Sequence, residues 1–275
     1  MKYLAVLLTV FNRKIQTLSC LERLYAQTIP DGVIMHVYLT NDGCTDGTPE
    51  AIREQFPEVN IIDGDGTLFW NRGMWTAWNA ASKAREYDWY LWLNDDTDLL
   101  PNAIYCLLED SNLQGNTPNI VVGATKASDS DKLTYGGRIK GVIQPCDGKV
   151  HKIDYFNGNI VLVNKAAFDI LGKLDYYFTH SRGDFDYALR AKKANVVMLQ
   201  HGRIMGICDK HAVPDVWSNS KVPVCKRWKM LHRPNGMPPH EIFHLENRHY
   251  GFAKACFHYI TTYLHCLFPA LWKLK

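Results

Sequence analysis

The chain has 275 residues, of which 47% are hydrophobic and 21% charged, enough to bury a substantial core in one large domain or in one domain with an elaborated tail. Its formal net charge of +3 gives no electrostatic reason to expect a nucleic-acid partner. The eight cysteines are scattered singly, without a CxxC pair, so neither a zinc ribbon nor a disulfide framework is indicated and reduced thiols in a cytoplasmic setting are expected.

In chain order, the apolar run at the N-terminus lacks a small-residue cleavage site and leads straight into Phe11-Asn12-Arg13, so a buried first strand over Tyr3–Val10 is expected rather than a leader. Ile15, Leu18, Leu21, Leu24 and Tyr25 follow at helical spacing. Ile34–Leu39 reads as a second strand, Pro49–Gln55 as a short helix, and Val59–Ile62 as a third strand. Met74, Ala77, Trp78, Ala81 and Ala84 mark another helix before a fourth strand at Trp89–Leu93. Strands alternating with helices predict a largely parallel sheet with right-handed crossovers.

Beyond residue 115 the pattern is less regular. Ile120–Ala124 and Ile160–Val163 are expected strands, and Ala166–Leu171 an expected helix. Thr125–Asp154 is rich in Gly, Asp and Lys and suggests turns with a hairpin. His201 and His211 are read as following the last core strand. Prolines break the periodicity past Val213, and an aromatic, weakly basic helical pattern then runs from about Glu241. These features place a first domain at residues 1–212 and a C-terminal extension with an amphipathic helix at 213–275. No segment reads as a membrane span, since Lys254, His258 and His265 interrupt the best candidate, Gly251–Trp272.

In a sheet of this kind ligands bind beyond the carboxyl ends of the strands. Those ends carry Thr9 to Asn12, Asn41-Asp42-Gly43 through Thr48, Asp63-Gly64-Asp65-Gly66, and Asn94-Asp95-Asp96-Thr97-Asp98. Each segment has turn or helix-cap chemistry as a sufficient explanation when taken alone. Three carboxylates within Asp95–Asp98, however, repel one another unless a cation offsets them, and carboxylates with phosphate oxygens suit Mg²⁺ or Mn²⁺. A second acidic segment, Gly183-Asp184-Phe185-Asp186, is either a helix start favoured by the dipole or a site for a general base.

Taken together, Phe11-Asn12-Arg13, Asn41 to Thr48, Leu93-Asn94-Asp95-Asp96-Thr97 and Gly183-Asp184 with Arg190 resemble the family 2 glycosyltransferases of GT-A fold over about residues 3–210. Phe156-Asn157-Gly158-Asn159 before an apolar strand is similar to the rhamnosyltransferase-like, bacterial polysaccharide branch. The resemblance implies an α/β, Rossmann-like, mostly parallel mixed sheet flanked by helices, with a C-terminal helical extension. It also implies an inverting transfer of sugar from a UDP- or dTDP-linked donor to an acceptor hydroxyl of a saccharide or lipid-linked acceptor in cell-surface polysaccharide or glycolipid synthesis.

Carried over residue by residue, Thr9 and Asn12 would lie along the nucleotide and Asp42 would meet the imide of its base. Asp95 would sit near ribose and diphosphate, and Asp96 would bind a divalent metal, Mn²⁺ or Mg²⁺. Asp184 would be the catalytic base, with Arg190 supporting its loop. Asn94 and Gly183 depart from the family pattern, which has acids at those places in many relatives. Among lesser candidates, Trp70, read as lying in a loop, could stack on a sugar, whereas the helical spacing of Trp75 and Trp78 favours core packing. His180 could meet the acceptor or cap a turn, and His211 is a weaker metal candidate. Asp186 is expected to be structural and Cys208 a small buried hydrophobe. The tail helix suits a membrane surface near a lipid-linked acceptor as well as packing on the domain or a homodimer contact. A nucleotidyltransferase would show a glycine-rich loop after the first strand, and Thr9–Lys14 has no glycine. A silent nucleotide- or sugar-binding module would not need a base.

Overall fold

A computed structural model describes residues 1–210 and 216–270. The chain divides into two compact units, Met1–Tyr176 with Asp184–Lys210, and Tyr177–Gly183 with His211–Lys275. The first unit opens with β1 (Lys2–Val10), α1 (Lys14–Tyr25), β2 (Val33–Asn41), α2 (Thr48–Gln55), β3 (Asn60–Asp63), α3 (Phe69–Ala84) and β4 (Trp89–Leu93). β5 (Asp98–Leu99), α4 (Ala103–Leu113) and β6 (Asn119–Lys126) follow. Short strands then fill the stretch expected to hold turns and a hairpin: β7 (Leu133–Tyr135), β8 (Gly137–Ile139), β9 (Val142–Ile143), β10 (His151–Lys152) and β11 (Tyr155–Phe156). β12 (Ile160–Asn164), α5 (Lys165–Leu171), α6 (Gly183–Lys193) and β13 (Val197–Ile207) complete it.

The main sheet has the order β10-β13-β6-β12-β4-β1-β2-β3, with β5 on β13 and β7 on β6, while β11, β8 and β9 form a separate small sheet. β1 pairs in parallel with β2 and β4, and β2 with β3. β12 runs antiparallel between β4 and β6, and β13 is parallel to β6. The sheet is therefore mixed. Because β12 is reversed, its first residue lies against the last residue of β4 (Ile160 opposite Leu93), so the turn before β12 and the loop after β4 share one edge.

Alternation along β1 supplies both cores. Leu4, Val6, Leu8 and Val10 pack with Cys20, Leu21 and Leu24 of α1 and Leu107 of α4. Ala5 and Leu7 face Met74, Ala77, Trp78 and Ala81 of α3. Trp78 is fully buried, with its ring centroid 5.4 Å from Tyr90, 5.5 Å from Trp92 and 5.7 Å from Tyr187 of α6. Trp75 lies against Tyr176 at 4.8 Å. Both tryptophans are packing residues, as their spacing predicts.

The second unit contains α7 (Val224–Leu231), α8 (Pro239–Tyr250) and α9 (Phe252–Leu267). Buried Arg227 donates to the carbonyls of Cys266 and Leu267, satisfying groups left open at the end of α9. Glu241 accepts the Thr179 amide at 2.9 Å, fixing the Tyr177–Gly183 segment, which carries His180, to α8. Ala255 and Cys266 of α9 are buried, while Phe252, Phe257, Ile260 and Leu264 are exposed. Among the described residues, no helix is long and apolar enough to cross a membrane.

Two sequence expectations are corrected. His201 does not follow the last core strand; β13 runs through it to Ile207, and its Nδ1 meets Asp110 at 2.6 Å. Trp70 is not in a loop but in the first turn of α3. His211 and Trp272 lie outside the described residues.

Candidate functional site

Three backbone segments converge at the carboxyl edge of β4. From β1 comes the turn at Asn12, which takes a left-handed φ of 51°. Its side-chain oxygen accepts the Thr45 amide at 2.7 Å and its own amide donates to Cys44 Sγ at 3.2 Å, tying the β1 loop to the β2 loop. The fixed turn delivers Arg13. The guanidinium Nη1 lies 2.6 Å from Asp96 Oδ2 and 3.3 Å from Asp95 Oδ1. Arg13 is thus a cation that offsets the acidic run. The third acid, Asp98, turns elsewhere and accepts from Ser19 Oγ at 2.9 Å.

Asp95 is only 6% exposed, and its Oδ2 has no hydrogen-bond partner. Burial pushes its carboxyl up to about 7, against the opposing pull of Arg13. A buried carboxylate oxygen without a donor, beside a second carboxylate, fits a hard divalent cation, which would take its ligands from Asp95 and Asp96. Among the described residues no cluster of three or more His, Cys, Asp or Glu forms a cage. Cys208, buried as expected, reaches this edge from the end of β13, with Sγ 3.6 Å from Asp96 Oδ1 and 3.5 Å from Asn159 Nδ2. Burial first and the Asp96 charge second push its thiol up to about 12, so it stays protonated.

Asp42 occupies the end of β2, where it is 3% exposed. Its Oδ1 accepts the amides of Gly66 and Leu68, and its Oδ2 that of Phe69 at 2.9 Å. It thereby caps α3 from a distant part of the chain, matching negative charge to the positive end of the helix. Three of its lone-pair positions are filled and one on Oδ2 is left. Gly43 and Gly66, both at left-handed φ, make the close approach of the two loops feasible: a Cβ at Gly43 would stand 2.9 Å from Gly66 Cα. Thr9 is nearly buried against α3, where a Cβ on Gly73 would collide with its Oγ1.

A chain of contacts then joins the acid pair to Asp184. Asn94, just before Asp95, donates its amide to the carbonyl of Asn159 at 3.1 Å. Its side-chain oxygen accepts Trp70 Nε1–H at 2.7 Å. The Trp70 ring lies directly over Gly158, and the Gly158 amide donates to Asp184 Oδ2 at 3.3 Å. Asp184 Oδ1 also accepts the Phe185 amide at 2.8 Å. Asp186, two residues on, is fully buried and ion-paired to Arg190 Nε at 2.8 Å. Arg190 further donates to the carbonyls of Leu171 and Lys173, pinning α6 to the end of α5.

The structure therefore gathers Asn12, Asp95, Asp96, Trp70 and Asp184 along one edge and connects Asp42 to it through α3. Arg190, within α6, ties that helix to the end of α5. His180 belongs to the segment held by α8. Sequence reasoning gave no role to the Arg13 side chain, to Asn94 or to Gly158. Reversal of β12 is what brings Gly158 here, and no local pattern announces that reversal.

The family described as Glycosyl transferase family 2 matches residues 5–173. No curated protein matches the chain. The structure of S. aureus TarS superposes with a TM-score of 0.56 at 12% identity, over 92% of this chain and 44% of TarS. The TarS 1-349 structure gives 0.54 at 13% identity, over 94% of this chain and 72% of that one. GalNAc-T7, determined with UDP, GalNAc and Mn2+, gives 0.56 at 10% identity, over 84% of this chain and 48% of GalNAc-T7. The chain thus spans less than half the length of TarS and of GalNAc-T7, and these likenesses describe the fold. On the family match, supported by the α/β architecture of the first unit, this chain belongs to glycosyl transferase family 2.

Proposed function

We propose that the chain transfers a sugar from a nucleotide diphosphate donor to an acceptor hydroxyl in one inverting displacement, with Asp184 as the base. The observation that carries this reading is the continuous path from the Asp95–Asp96 pair through Asn94, Trp70 and Gly158 to Asp184. It puts the group that would accept a proton on the same wall as the groups that would hold the leaving diphosphate. Asp184 has amide donors from Gly158 and Phe185, which fix its direction. The acceptor hydroxyl would lose its proton to Asp184 as its oxygen attacks the anomeric carbon from the face opposite the diphosphate. A second carboxylate nucleophile is unnecessary, which agrees with the burial of Asp186 in its ion pair.

Asp95 and Asp96 would hold a divalent cation, which when bound supplies positive charge to the departing diphosphate. Thr9 and Asn12 border the nucleotide in this reading, and the remaining lone pair of Asp42 would meet the base imide. Trp70, held by Asn94, offers a ring edge beside the sugar. The presence of UDP in the GalNAc-T7 structure is consistent with a uridine-linked donor for this chain. The exposed apolar residues of α9 suit contact with a membrane surface bearing a lipid-linked acceptor.

The test is Asp184→Asn, assayed for transfer and, separately, for donor binding by thermal shift across a panel of nucleotide sugars with and without Mn²⁺. Transfer is expected to fall by a factor of at least about a thousand, with the donor-induced shift retained. Full activity in the variant would overturn the assignment of the base. Absence of any donor-induced shift in the wild type would overturn the donor class.

A further inference from the structure

We propose that Arg13 is a resident counter-ion of the acid pair, one that must release Asp96 before a divalent cation can use it and that then turns to the donor diphosphate. This rests on the donor reading above and adds to it the order in which the site loads. The same nitrogen, Nη1, touches both carboxylates, at 2.6 Å from Asp96 Oδ2 and 3.3 Å from Asp95 Oδ1. The two acid side chains are 11% and 9% exposed, whereas that of Arg13 is 41% exposed. The pair is thus fixed in the wall, and the cation over it reaches in from the solvent side.

The backbone beneath Arg13 cannot follow a movement of its side chain. Asn12 is clamped to Thr45, and the Arg13 carbonyl accepts both the amide and the hydroxyl of Thr17 at 2.9 Å. The guanidinium itself swings on flexible bonds. With Arg13 engaged, its guanidinium lies against both carboxylates; withdrawing it removes that positive charge from a poorly solvated position. A divalent cation and Arg13 therefore compete for the same oxygen, Asp96 Oδ2. A planar guanidinium displaced at this rim has a natural new partner in a diphosphate, whose oxygens match its paired N–H groups.

Cation alone must evict Arg13 without offering it anything, so it binds weakly. Cation together with a nucleoside diphosphate binds well, because the diphosphate takes Arg13 over. Arg13 thus makes loading cooperative and keeps bare cations out of the donor-free site.

The experiment measures Mn²⁺ binding to the full chain without nucleotide, by electron paramagnetic resonance of free Mn²⁺, in wild type, Arg13→Gln and Arg13→Lys. Arg13→Gln removes the competing charge and is expected to tighten Mn²⁺ binding on the order of tenfold, in the range of typical coupling between linked sites. Arg13→Lys keeps a charge but loses the fork, and is expected to tighten it about threefold; it also serves if the neutral variant does not fold. Separately, UDP binding at saturating Mn²⁺ should weaken in Arg13→Gln. Unchanged or weaker nucleotide-free Mn²⁺ binding in both variants would overturn the proposal. If wild type bound Mn²⁺ but no nucleoside diphosphate, the donor reading would fail while the nucleotide-free comparison still decided the role of Arg13.

Discussion

Gly158 is the tightest point of the path between the acid pair and Asp184, and substituting alanine there tests whether that path is a mechanical unit. A Cβ at Gly158 would stand 2.5 Å from Cζ2 and 2.6 Å from Cη2 of Trp70, against about 3.5–4 Å for comfortable carbon contacts. The ring must retreat by about 1 Å. It is held in place by the 2.7 Å bond to Asn94 and the edge contact with Trp92 at 6.2 Å, so retreat strains both. Overpacking costs about 1–3 kcal/mol and the strained hydrogen bond about 1 more. Stiffening of the unfolded chain by alanine returns about 0.4–1 kcal/mol, since the Gly158 backbone is not in the left-handed region. The net expectation is a loss of about 2 kcal/mol, read from urea midpoints, with an altered near-ultraviolet tryptophan spectrum and reduced transfer. The new methyl would be 3.6 Å from Asp184 Cβ, an ordinary contact, so the effect on transfer should run through Trp70. Repeating the substitution in a Trp70→Phe background, where the smaller ring relieves the clash, should recover at least half the loss. Strictly additive effects of the two substitutions would refute the argument.

Two further outcomes concern the charges around this edge. Because burial raises the Asp95 carboxyl to about 7 in the folded protein, from about 4 in an unfolded chain, its contribution to stability is complete below about pH 4 and is lost as pH rises through about 7. In chelator-treated protein, Asp95→Asn should therefore gain on wild type between pH 5 and pH 8 in urea unfolding; a gap that does not change with pH would contradict the buried assignment. Asp186→Ala should cost about 3 kcal/mol by leaving Arg190 without its buried partner, and a loss below about 1 kcal/mol would mean that the guanidinium, 21% exposed, simply rehydrates.

The strand-end chemistry was readable because each apolar run stops abruptly in Asn, Asp or Gly, and a parallel arrangement puts those stops together. Other features were hidden for identifiable reasons. The start of α3 has no local cap signal, since the cap is Asp42, more than twenty residues upstream; Trp70 consequently looked like a loop residue. β13 looked finished before His201 because Gln200, His201 and Arg203 are polar. Each nevertheless finds a partner in the fold: Gln200 bonds Gly137 and Gln144, His201 Nδ1 meets Asp110, and the exposed Arg203 donates to Cys106 Sγ. The acidic run suggested a cation, and its spacing could not reveal that Arg13, more than eighty residues earlier, supplies one.

The placement of β13 also sets the order in which the chain can be built. β1, β2, β3 and β4 lie within the first 93 residues and are joined by short helical crossovers, so this half of the sheet can pair as soon as it is synthesised. β13 enters beside β6, with Val197 opposite Asn119, only after the small sheet and α6 have been made. Until then the β13 side of β6 is an open strand edge, the kind of surface on which nascent chains stick to one another. A chain stalled before residue 183 would already carry Arg13 over its two acids and would lack the helix that presents Asp184. Arg13 and its two acids are therefore assembled before the helix that carries Asp184, and the open edge of β6 is exposed in the interval between them.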